Sequence, residues 1–117
     1  MLAANYDITL DRAADYSFVL TIQNQAGLPV NLGSPTASFI ADVREVASKK
    51  EVLDLTPTTV GSPTNGQVLI SLTKTQTKTL RATKGFYEWD IFMIRGGSRT
   101  RLLYGSLTAR AQTTNDA

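Results

Sequence analysis

Two stretches of this chain repeat with a period of two, and that repeat constrains the fold more than any other feature. In Tyr16–Gln23, the residues Tyr16, Phe18, Leu20 and Ile22 fall on one side, and Ser17, Val19, Thr21 and Gln23 on the other. In Phe86–Arg95, Tyr87, Trp89, Ile91 and Met93 make a wholly apolar side, opposite Phe86, Glu88, Asp90, Phe92 and Ile94. Side chains two apart share one face of a strand, so each stretch reads as a strand with a buried face.

Shorter segments repeat the pattern between turn residues. Strands are expected at Tyr6–Leu10, at Leu28–Leu32 as an edge piece, at Ala37–Arg44, at Val52–Leu55, at Gln67–Leu72 and at Thr100–Ala111. Gly96-Gly97-Ser98-Arg99 reads as the hairpin loop before the last of these, and Asn65-Gly66 as a turn. Leu72, Gln76 and Leu80 have helical spacing, but the threonines between them limit the segment to one helical turn. About seven antiparallel strands with one short helical turn predict an all-β sandwich, with an eight-stranded closed barrel as the alternative. At 117 residues the chain is one domain. Its bounds are read as 1–112, with 113–117 as a flexible C-terminal tail that has nothing to bury.

Composition narrows the chemistry. With no Cys and no His, a thiol nucleophile, a disulfide framework, a Cys/His zinc site and a His general base are all excluded. Twelve Lys+Arg against ten Asp+Glu leave a net charge of +2, a weak bias for a nucleic-acid binder. The basic lean of residues 74–110 reads as a solvated face of alternating strands, in preference to a surface for an acidic partner. No apolar run approaches the length of a membrane-spanning helix. Glu88 and Asp90 share the polar side of their strand; they read as cross-strand ion-pair partners of Arg99 or Arg101, in preference to an acid/base pair. Asp7, Asp11 and Asp15 do not match a calcium loop, and Ser98 lacks the context of a nucleophile. No catalytic, cofactor-binding or metal-binding residue is assigned, no cofactor is expected, and the chain is not read as an enzyme.

Both faces of the last hairpin carry large apolar residues. Tyr87, Trp89, Ile91 and Met93 already fill the inward face, so Phe92, Ile94, Leu102 and Tyr104 are expected to dock against another chain, with Arg95, Arg99 and Arg101 as a polar rim. The alternative is an edge covered by the Val52–Leu55 segment or the N-terminal strand.

Three pieces also carry a resemblance: Ala4–Arg12; Tyr16–Ile22 followed by Pro29–Leu32; and Gly85–Ile91 with Arg101–Leu107. In order and spacing they resemble the small immunoglobulin-like β-sandwich structural proteins of tailed bacteriophages, and are similar to the N-terminal domain of phage baseplate upper proteins. The resemblance implies a single immunoglobulin-like sandwich in the virion, assembled in the host cytoplasm. It implies a tail, baseplate or neck adaptor that attaches fibres or bridges tail components. Its partners would be other phage structural proteins, in multiple copies in a symmetric assembly, with neither nucleic acid nor membrane. A capsid decoration protein and a carbohydrate-binding module are the alternatives. The segment Leu80–Tyr87 resembles the corner before the sixth strand of such folds, which implies a hydrogen bond from Tyr87 to a nearby backbone carbonyl.

Overall fold

A computed structural model describes residues 4–33, 36–83 and 85–111. The expected tail at 113–117 lies outside them. Among the described residues the strands are β1 (Ala4–Asn5), β2 (Ile8–Asp11), β3 (Tyr16–Thr21), β4 (Ala37–Glu45), β5 (Glu51–Asp54), β6 (Thr58–Thr59), β7 (Gln67–Leu72), β8 (Tyr87–Arg95) and β9 (Ser98–Arg110). They form two sheets. The larger runs β1-β9-β8-β4-β5 with β2 also on β9, and the smaller runs β3-β7-β6.

The faces follow the alternation. Ile8, Leu10, Val43, Val68, Ile70, Leu72, Trp89, Ile91 and Leu107 are buried between the sheets. Most of their polar chain neighbours take the wet side, as a half-covered sheet requires, while Leu69 and Phe92 put apolar side chains there as well. The apolar side of β8 begins as expected with Tyr87, Trp89 and Ile91 buried.

Three details depart from the sequence reading. First, β1 and β2 pair with β9 in parallel, in the register Ala4↔Leu103 and Ile8↔Leu107, so the strands are not all antiparallel. Second, Leu28–Leu32 forms no strand. It folds back on the end of β3 through a single bridge, Gln23↔Pro29, because Pro29 has no N–H to extend a ladder. Third, the last hairpin turns on Gly96 and Gly97 alone, with φ of 56° and 80°. Two positive-φ residues match the right-handed twist of the flanking strands, so β9 starts at Ser98. Asn65-Gly66 is a turn as expected: it closes the 3-10 turn Pro63–Asn65, with Gly66 at φ 66°.

The single helical turn is α1 (Lys74–Lys78), opened by a reciprocal cap between Thr73 and Gln76. Thr77 on its inner side is fully buried, and its hydroxyl lies 2.9 Å from the Ala14 carbonyl to which it donates. The Asp15 carboxylate accepts the Lys74 N–H at 2.7 Å. The turn is therefore pinned to the β2–β3 connection. Just beyond it, the Tyr87 hydroxyl accepts the Arg81 N–H at 2.8 Å. The expected partner was a backbone carbonyl; here the hydroxyl instead accepts from a backbone N–H.

The three aspartates have separate duties. Asp7 accepts the Ser106 N–H at 3.0 Å, Asp11 pairs with Arg110 at 2.8 Å, and Asp15 holds α1.

Candidate docking face

The outer face of the larger sheet, over β4, β8 and β9, carries what remains once the core is filled. Its cross-strand register sets Ile40 beside Phe92 and Phe92 beside Arg101; one step along, Ser38, Ile94 and Arg99 line up. Asp90 faces Tyr104. Ile40 is 40% exposed and Tyr104 39%, while Phe92 and Ile94 are half-buried.

Arginines lie over these rings. The Arg99 guanidinium sits 4.3 Å from the Phe92 centroid. Arg101 is placed between Phe92 and Tyr104, at 5.7 and 5.3 Å, and bonds the Asp90 carboxylate at 3.0 Å. Weak hydration lets a guanidinium cover an aromatic face while keeping its ion pair.

The structure brings together five of the seven residues expected at this face: Phe92, Ile94, Tyr104, Arg99 and Arg101. The other two are corrections. Leu102 is only 5% exposed and belongs to the core. A β-bulge opposite Ile91/Phe92 inserts it between Arg101 and Leu103, which turns Leu102 inward and swings Arg101 and Arg99 outward. Arg95 stands at the even spacing of Tyr87, Trp89 and Ile91, so it takes the opposite side of β8 from Phe92 and Ile94 and is not part of the rim. Ile40 was missed. Its signal was a single large apolar residue among Ser38, Asp42 and Arg44 on the polar side of β4.

Beside the apolar strip lies an open depression of about 590 Å³, lined by acidic and basic side chains. Three ion pairs lie in it, Arg44–Asp42 at 3.2 Å, Lys49–Glu88 at 2.8 Å and Arg101–Asp90, and its fourth carboxylate, Asp7, is the one that accepts the Ser106 N–H. Asp90 thus takes one of the arginines expected, whereas Glu88 takes Lys49 from the β4–β5 loop, beyond the hairpin. At the rim of this cluster, a hydrogen bond shared with Asp42 and the repulsion of that carboxylate push Glu51 above the usual carboxylate range. Among the described residues no group of three or more acidic side chains is placed to hold a metal ion.

The strand order places the equivalents of strands G, F, C and C′ in one sheet and B, E and D in the other, with a tyrosine corner before the sixth main strand. That arrangement defines a single immunoglobulin-like β-sandwich. Three solved structures align with this chain. The insect immune protein hemolin aligns at 11% identity and a TM-score of 0.49, over 98% of this chain and 27% of that one. The N-terminal Ig1-2 module of the Drosophila receptor protein tyrosine phosphatase DLAR aligns at 14% identity and 0.47, over 95% of this chain and 48% of that one. The extracellular fragment of novel immune-type receptor 11 from Ictalurus punctatus aligns at 10% identity and 0.38, over 96% of this chain and 89% of that one. This chain therefore spans well under two thirds of the first two. No family model and no curated protein matches the sequence.

Proposed function

We propose that this chain is a non-enzymatic structural adaptor of a tailed bacteriophage, placed at the tail, baseplate or neck, where it attaches fibres or bridges tail components. The sequence resemblance described above motivates the reading. The observation that carries it is the strip Ile40, Phe92, Ile94 and Tyr104 on a sheet face whose opposite side already fills the core. Fully covering side chains of this size is worth about 1.5–3 kcal/mol each, and somewhat less where they are already half-buried. Arg99 and Arg101, held over the rings, would orient the partner more than bind it.

A carbohydrate-binding role is disfavoured by the same geometry. The Phe92 ring has the Arg99 guanidinium 4.3 Å from its centroid, so a sugar would have to displace it. A capsid decoration role uses the same face and differs in copy number.

The test is incorporation. The double variant Phe92→Ser/Ile94→Ser should stay folded yet be missing from assembled particles. Normal incorporation of the folded variant would overturn the docking face. If that variant unfolds, Ile40→Ser takes its place, because Ile40 is already solvent-facing. Hundreds of copies per particle, in place of tens, would move the protein from tail to shell.

A further inference from the structure

The smaller sheet has an open edge at β3. In immunoglobulin-like sandwiches that edge belongs to the first strand, but here β1 and β2 both pair with β9, and among the described residues no strand takes the far side of β3. The direction of its hydrogen bonds is fixed by the residues beyond its end. Ile22 donates its N–H to Gly66 and accepts from Val30 on the same side, and Asn24 donates to Leu28. Even-numbered residues therefore point their backbone groups toward β7. Ser17, Val19 and Thr21 point theirs outward, because N–H and C=O directions alternate along an antiparallel strand.

We infer that β3 pairs edge to edge with β3 of a second copy of this chain, antiparallel about a two-fold axis at Val19. The two-fold sets Val19 opposite its own copy and Ser17 opposite Thr21, so each outward N–H meets an outward C=O of the other chain. The sequence suits a second copy. Tyr16–Gln23 contains no charged residue, no Pro and no Gly, which are the usual guards of an exposed edge. In this register Asp15 falls opposite Gln23, so no like charges meet. The side chains agree as well. Val19 is 49% exposed on the outer face, and its copy would lie against it. Phe18 and Leu20, half-buried at the rim of the core, would lie directly opposite each other across the junction, Phe18 of one chain against Leu20 of the other, and extend the apolar layer from one chain into the next. An isologous contact of this kind closes on itself as a dimer.

One strand pair is a small interface, so association is weak and depends on concentration. Sedimentation of the full chain from about 10 μM to about 1 mM should show a monomer converting to a dimer. Hydrogen exchange should show the Ser17, Val19 and Thr21 amides slowing only as the dimer forms. Val19→Lys, which places two ammonium groups face to face while leaving the exposed site of the monomer unstrained, should weaken the dimer about tenfold or more. A chain that stays monomeric up to about 1 mM overturns the inference. So does a dimer indifferent to Val19→Lys. Protection of the three amides in the dilute monomer also overturns it, since the edge would then be covered by a segment of the same chain. None of these results bears on the docking face of the other sheet, which the incorporation test addresses separately.

Discussion

Trp89 donates its indole N–H to the main-chain carbonyl of Tyr6 across 2.8 Å, joining residues 83 apart in sequence. Gly105 permits it. Gly105 is directly opposite Trp89 on β9, and a Cβ there would lie 2.3 Å from the Tyr6 carbonyl oxygen and 2.8 Å from the Asp7 carboxylate. The connection from β1 to β2 thus rests on bare backbone. The Tyr6 ring then stacks on Phe18 of the other sheet at 5.2 Å and meets the Trp89 ring edge-on at 6.3 Å.

Gly105→Ala should therefore cost about 2–4 kcal/mol, because the neighbour that must yield is backbone and its displacement also breaks the indole hydrogen bond. Denaturant unfolding measures the loss. Trp89 is the single tryptophan, so a red-shifted emission in the folded variant would report its exposure directly. An unchanged midpoint would refute the close approach.

Tyr87→Phe removes the acceptor for the Arg81 N–H at the corner before β8 while keeping the buried ring. The expected cost is about 1–2 kcal/mol, the net value of a partly buried hydrogen bond whose donor is left without a partner. Thermal or chemical unfolding of the variant beside the parent checks it.

Ala13 sits at φ 62° in the β2–β3 turn, where a Cβ is strained against the following carbonyl. Replacing it with Gly relieves that strain and loses part of the gain to the freer unfolded chain. The expected net effect is a stabilisation of about 0.5–1 kcal/mol. A destabilised variant would show that the Ala13 methyl packs more than it strains.

Glu51 makes stability depend on acidity in a definite sense. Its folded pKa is raised by the hydrogen bond with Asp42 and by the charge of that carboxylate. The folded state therefore binds this proton more tightly than the unfolded state. The contribution is present in full below the unfolded carboxylate value and is lost as pH rises through the raised folded value. Glu51→Gln should accordingly be more stable than the parent at neutral pH, and the difference should close once the solution is acidic enough to protonate the parent. Unfolding midpoints of both proteins across that range test the sign.

The period-two segments were legible because each strand has one face in the core, and burial there depends only on the strand's own sequence. Tyr16–Thr21 and Tyr87–Arg95 needed no knowledge of their neighbours. The bulge at Leu102 was not legible. Read by itself, Thr100–Ala111 carries three apolar residues in a row, Leu102-Leu103-Tyr104, which do not say which of them turns inward; only pairing against Ile91 and Phe92 shows that Leu102 is the extra residue. The partner of Glu88 was hidden for a similar reason: Lys49 reaches it from a loop 39 residues away, where it has φ 60°. Three of the four apolar residues of the docking face, Phe92, Ile94 and Tyr104, could be named from the hairpin's own pattern, as could Arg99 and Arg101. Ile40 required the register of β4 against β8.

The parallel pairing of β2 with β9 has a consequence for the order in which the molecule is made. Asp7 is tied to Ser106, 99 residues later. During synthesis the first strands emerge early and have no partner until β9 leaves the ribosome. Until then the β8 edge is bare and Tyr6 has no fixed carbonyl to offer Trp89. The sandwich thus completes itself only after translation has passed β9, and a nascent chain stalled before that point presents unpaired strands to its surroundings.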